Sequence, residues 1–119
     1  MKKTIMVVED ESDIRSSLKE ILELEGYDVL TAENGLEALN VLKASAKPNL
    51  ILLDMKMPVM NGWEFADQFR KTYNNSTPIV VVTAAADSEQ RAKDIHATGW
   101  VSKPFELGVL LKKIKECEN

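Results

Sequence analysis

An α/β fold, a parallel sheet covered by helices on both faces, is what this 119-residue sequence predicts, with residues 1–119 forming one domain. Three observations carry that expectation. The short apolar runs in IMVVED, LILLDM, IVVVTA and WVSKP read as strands buried on both faces. Between them, apolar residues recur at helical spacing. The connections are short, as right-handed βαβ crossovers allow, and no linker, repeat or low-complexity tract interrupts the alternation.

The elements follow in order. After the first strand, Ile14, Leu18, Ile21 and Leu22 fall at i, i+4, i+7 and i+8, an inward stripe of one helix that Gly26 is placed to stop. Tyr27 to Ala32 form a shorter, more polar strand suited to a sheet edge. Asn34 is a cap for a second helix carrying Leu36, Leu39, Leu42 and Lys43, which ends at the Lys47-Pro48 turn. LILLD is the third strand. The loop MKMPVMNG leads into a third helix with Phe65 and Phe69 on one face, and Thr77-Pro78 reopens the chain into the fourth strand. A fourth helix begins near Ser88. The brief WVS is the fifth strand, and Leu107, Leu110, Leu111 and Ile114 are expected to face inward from the last helix.

Composition narrows the class. At 45% hydrophobic the chain supports one core and is too short for two domains. Net charge is −4 and the basic residues are scattered, which argues against direct nucleic-acid binding or docking on an anionic membrane. The single Cys117 has no internal partner, and MKKTIMVVED turns acidic too soon for a signal peptide, so a cytoplasmic location is expected. No apolar stretch is long enough to cross a bilayer.

Five polar positions stand at strand ends: Glu9 and Asp10, Asp54, Thr83 and Lys103. If the strands are parallel, all five emerge at the C-terminal edge, where open α/β sheets bind ligands. Three carboxylates suit a hard cation such as Mg²⁺, which keeps waters and phosphate oxygens in its shell. An aspartate can also attack phosphorus and form an acyl phosphate. Such a transfer needs in-line positioning and neutral surroundings for the phosphoryl oxygens, which a hydroxyl, an ammonium and a metal ion provide. Taken singly, each position has a plainer reading: an acidic loop, a β-branched strand residue, a turn lysine. Their joint placement at the ends of the first, third, fourth and fifth strands is what points to a site.

VVEDE, LLDMKMPVMNG, VVVTA and VSKPF occur in this order along nearly the whole chain, and with them the sequence resembles the receiver domains of two-component response regulators. The resemblance implies a flavodoxin-like, doubly wound (βα)5 fold with strand order 2-1-3-4-5. It makes Asp54 the acceptor of a phosphoryl group from a histidine kinase or histidine phosphotransfer protein. Glu9 and Asp10 take the Mg²⁺ role with Asp54, Glu9 through water, and Lys56 adds its backbone carbonyl. Thr83 and Lys103 match the phosphate-contacting hydroxyl and amine, and Lys103-Pro104 matches a bond that is typically cis in the family.

By the same resemblance, Lys56 and Ala85 flank the path of the hydrolytic water, and Trp100 occupies the switch position whose ring turns inward when the threonine shifts. The signal then leaves through the face of the fourth helix, fifth strand and fifth helix. The expected protein is a stand-alone receiver, not an enzyme beyond transfer to and hydrolysis from its own Asp54, that acts through an unknown downstream protein.

Three departures from the family pattern stand out. Thr83 to Lys103 is a short interval, predicting a shortened fourth helix or a tightened preceding loop. His96 stands where a glycine is usual, and Gly108 weakens the start of the last helix by about 1 kcal/mol relative to alanine. Other classes fit less well. A flavodoxin needs a Ser, Thr and Gly-rich first loop where this chain has EDES, and a haloacid-dehalogenase-type phosphatase needs an acid where it has Lys56. A receiver-like interaction module without phosphate turnover is the remaining alternative.

Overall fold

A computed structural model describes every residue except Met1, Asn75, Ala85, Asp87 and Asn119. Strands β1 (Thr4–Val8), β2 (Asp28–Ala32), β3 (Leu50–Leu53), β4 (Ile79–Thr83) and β5 (Gly99–Ser102) alternate with helices α1 (Ser12–Leu24), α2 (Gly35–Lys43), α3 (Gly62–Tyr73), α4 (Ser88–Asp94) and α5 (Leu107–Cys117). All strand pairs are parallel, and the order is β2-β1-β3-β4-β5. This is the flavodoxin-like order expected from the sequence, with the polar β2 at an edge.

Strand residues alternate between two cores because successive side chains leave a strand on opposite faces. Met6, Val8, Ile51, Leu53, Ile79 and Val81 pack with Phe65 and Phe69 of α3. Ile5, Val7, Leu50, Leu52, Val80 and Val82 pack instead with Leu18 and Leu22 of α1 and Leu110 and Ile114 of α5. Burial on both faces is why these strands are continuous apolar runs.

Local signals set most helix ends. Gly26 (φ +95°) follows α1, its N–H bonded to the Glu23 carbonyl and that of Tyr27 to the Leu22 carbonyl, so the helix stops where the glycine predicts. The Asn34 side chain accepts from the Glu37 N–H at 2.9 Å. Asn61 and Glu64 form a reciprocal capping box at the start of α3. Helix α4 has 7 residues, in line with the short interval after Thr83.

His96 adopts φ +53°, a backbone region that favours glycine and so explains the family's preference there. Its N–H bonds the Lys93 carbonyl, and Arg70 of α3 donates to the carbonyls of Ile95 and His96. One inward residue is corrected. Leu107 is 42% exposed, because it occupies the first turn of α5, beyond the sheet edge, and only Leu110 and Ile114 are fully covered, with Leu111 partly so.

Candidate functional site

The sheet register brings the acidic residues together. Val8 pairs with both Ala32 and Leu53, and the ladder runs one residue further on each strand: the Glu9 N–H bonds the Ala32 carbonyl and the Asp54 N–H the Val8 carbonyl, both at 3.0 Å. On the other side Thr83 pairs with Ser102, and the Lys103 N–H bonds the Thr83 carbonyl at 2.8 Å. The five residues thus sit at consecutive strand ends along the C-terminal edge. Asp10, Asp54, Thr83 and Lys103 border a cavity of about 440 Å³ together with Lys56 and Arg91.

Glu9 and Asp54 are buried, and Asp10 is exposed at the mouth. One carboxylate oxygen from each lies within 4.8 Å of the others. The Lys103 ammonium stands between two of them, 2.5 Å from Glu9 Oε1 and 3.6 Å from Asp54 Oδ2. The second Glu9 oxygen accepts from the Glu11 N–H at 3.1 Å. The donor set is all oxygen, with one open side facing the cavity. Its chemistry fits Mg²⁺ and other hard divalent ions, which Asp10 and Asp54 would hold. Lys56 is exposed at the rim, while Ala85 lies outside the described residues. The Lys103-Pro104 peptide is cis.

Charge crowding shapes the titration of the site. Burial, then the neighbouring Glu9, push the Asp54 carboxyl up from 3.8 to about 7; Lys103 pulls it down without compensating, and Asp10 adds to the rise. Burial alone would lower the Lys103 ammonium, but its hydrogen bond to Glu9 and the charges of Asp54, Glu9 and Glu11 hold it above its ordinary value.

A stability prediction follows. Between 3.8 and about 7, the folded protein keeps a proton on Asp54 that the unfolded chain has released. Stability without metal is therefore expected to fall as pH rises through that window. The carboxylate borders a solvent-open cavity, so the loss is expected to be on the order of 1–2 kcal/mol rather than the full shift. Urea unfolding in a chelator across this range should give a shallower slope for Asp54→Asn; an identical slope would place the repulsion elsewhere.

Two cations at the site carry no motif. Arg15 Nη1 donates to the Glu9 carbonyl at 2.8 Å and the Asp10 carbonyl at 3.4 Å, holding the acidic turn from the first turn of α1. Arg91 of α4 donates to the buried Thr83 hydroxyl at 3.1 Å. Arg15 was detectable as a basic residue one helical turn beyond the acidic pair. Arg91 had no local signal, since its approach depends on how the chain folds back after Thr83.

The aromatic and thioether residues divide. Trp100 is 39% exposed and lies outward on β5, beside Val81 of β4. Trp63 packs against the core and donates to Asp94 Oδ2 at 3.3 Å. Met55 is fully buried, and Met57 and Met60 pack against the same core, which makes all three fillers beneath the site.

Known proteins resemble this chain over nearly its whole length. The family described as the response regulator receiver domain matches residues 5–115. Sporulation initiation phosphotransferase F of Bacillus subtilis is 32% identical, the match covering 98% of this chain and 94% of that protein. The transcriptional regulatory protein CrdR of Helicobacter pylori is 36% identical over 100% of this chain and 56% of its own length. The chain spans about half the length of several curated relatives of this second kind.

Among solved structures, the chemotaxis protein CheY4 of Vibrio cholerae superposes with a TM-score of 0.88 at 33% identity, covering 98% of this chain and 99% of that one. The response regulator TrrA of Thermotoga maritima, solved with Mg²⁺ and BeF, gives 0.85 at 38% identity, with 98% of each chain covered. Sequence and backbone agree over the same span, so this chain belongs to the response regulator receiver domain family.

Proposed function

We propose that the chain is a phosphorylation switch in which Asp54 accepts a phosphoryl group from a histidine kinase or histidine phosphotransfer protein, in a reaction that depends on Mg²⁺. The convergence of Asp54 with Lys103 and two further carboxylates at one sheet edge carries the reading. The Asp54 carboxylate attacks phosphorus, an O–P bond forms as the N–P bond of the donor phosphohistidine breaks, and the departing imidazole takes a proton. Lys103 and the Thr83 hydroxyl face the oxygens that carry the charge of the transferring group. Held by Asp54 and Asp10, with Glu9 through water and the Lys56 carbonyl completing the set, Mg²⁺ would neutralise those oxygens further. Hydrolysis of the acyl phosphate by water resets the switch, so the protein is not an enzyme acting on a separate substrate.

The direct test is incubation with acetyl phosphate and Mg²⁺. Intact mass should rise by one phosphoryl group in an acid-stable, alkali-labile form. No mass gain would leave a receiver-like interaction module without phosphate turnover.

Metal binding separates the two N-terminal acids. Asp10→Ala should weaken Mg²⁺ binding about tenfold or more, and Glu9→Gln less, because a direct carboxylate ligand contributes more than one acting through water. Titration calorimetry measures both, and wild-type affinity in Asp10→Ala would remove Asp10 from the ligand set.

Output through α4, β5 and α5 toward a downstream protein is supported by the exposed Trp100, Leu107 and Val109 on that side. A cytoplasmic setting accords with a kinase partner of this kind. A switch requires packing that differs between states. Movement of the Thr83 hydroxyl toward a phosphoryl oxygen would open space for the Trp100 ring. In a Trp63→Phe background, beryllofluoride with Mg²⁺ should shift Trp100 emission and lower quencher access, and Thr83→Ala should remove the change. An unmoved Trp100 at saturation would leave it a packing residue.

A further inference from the structure

The cavity beside Asp54 is rich in anions, and phosphorylation would replace one carboxylate charge with a phosphoryl group carrying about two. Its best-placed lysine is already engaged: the Lys103 ammonium sits against Glu9 and Asp54. Lys56 stands exposed at the rim. Arg91 is a third cation here. It borders the same cavity, is half-buried, and donates from Nη1 to the Thr83 hydroxyl at 3.1 Å. Its guanidinium carbon also lies 5.7 Å from the centre of the Trp63 ring, within cation–π range. A planar fork of N–H donors, oriented by a hydroxyl and an aromatic ring at the edge of an anion pocket, is well suited to phosphate oxygens.

We infer that Arg91 is a further phosphoryl-binding residue, turning from the Thr83 hydroxyl to the phosphoryl group on Asp54. This rests on the reading of Asp54 as phosphoacceptor. The hydroxyl that Arg91 leaves is the one Thr83 offers to the same group, so both shifts favour each other. Arg91 stands on α4 and Trp63 on α3, so occupation of the pocket is felt on α4 directly as well as through Thr83. Trp63 becomes a second reporter of the switch.

The test measures beryllofluoride affinity in the presence of Mg²⁺ for wild type, Arg91→Ala and Arg91→Gln, the last keeping a stem to lie on Trp63. Both variants should bind about tenfold more weakly, the loss of a single charge-assisted hydrogen bond in a solvent-open pocket. Mg²⁺ affinity without beryllofluoride should stay within about twofold of wild type, a separation that general loss of structure would not produce. In a Trp100→Phe background, beryllofluoride should change Trp63 emission with Arg91 present and not in Arg91→Gln. Wild-type beryllofluoride affinity in folded Arg91→Gln, or unmoved Trp63 emission at saturation with Arg91 present, would overturn the inference while the Asp54 reading stands. Failure of wild type to gain a phosphoryl group or bind beryllofluoride would overturn the Asp54 reading, and Arg91's role with it.

Discussion

Asp54→Asn is expected to reduce phosphoryl incorporation from acetyl phosphate to background while the protein remains folded. Asparagine keeps the shape of the side chain but offers no anionic oxygen to attack phosphorus. Asp54 directly follows a buried strand, has a lysine ammonium 3.6 Å away and is grouped with two further acids. Glu9 is buried too, but its oxygens are taken by Lys103 at 2.5 Å and the Glu11 N–H at 3.1 Å. The variant should unfold at higher urea than wild type above neutral pH in a chelator, since the crowded charge is gone. Stoichiometric labelling of Asp54→Asn at another residue would move the phosphoacceptor.

Gly62→Ala should damage the fold and the site together. A Cβ on Gly62 would stand 2.6 Å from Met55 Sδ, 2.8 Å from the Asp54 carbonyl oxygen and 2.8 Å from Met55 Cα. The sulfur could shift, but the other two atoms are backbone of the turn that carries Asp54. Met55 is itself fully buried, and the Gly62 N–H bonds its carbonyl at 2.9 Å, so the turn has nowhere to retreat. Overpacking of this kind costs about 3 kcal/mol where neither side yields. Urea unfolding measures that loss, and Mg²⁺ affinity should drop as Asp54 is displaced. Stability within about 0.5 kcal/mol of wild type would show that the turn moves freely.

The sheet and the five polar strand ends were legible because β1, β3 and β4 are buried on both faces and stop abruptly in a polar residue. Strand β5, expected to be buried likewise, instead alternates buried and exposed residues as an edge strand. Burial writes itself into the sequence as an apolar run, and the parallel register then fixes where the next side chain emerges. Gly26 and Asn34 were readable, since backbone sign and capping chemistry restrict residue type locally. Leu107 misled because helical spacing gives the direction of a stripe and not how far the sheet extends beneath it. Arg91 was hidden for a related reason. Its contacts to Thr83 and Trp63 join three elements, and no spacing within one element encodes them.

The shortness of α4 has a kinetic consequence. Two turns of helix are far below the length that holds together alone in water, so its helicity is borrowed from what grips it. Among the described residues its polar grips include Ser88 Oγ to Ser102 Oγ at 2.5 Å, Arg91 to Thr83, Asp94 to Trp63, and Arg70 on the carbonyls that follow. Ala92 and the following Ile95 supply its apolar anchorage, and of these only Ala92 lies within the helix itself. Helix α4 is therefore expected to open locally at a lower free energy than the five strands, which hydrogen exchange would read as earlier exchange of its amides.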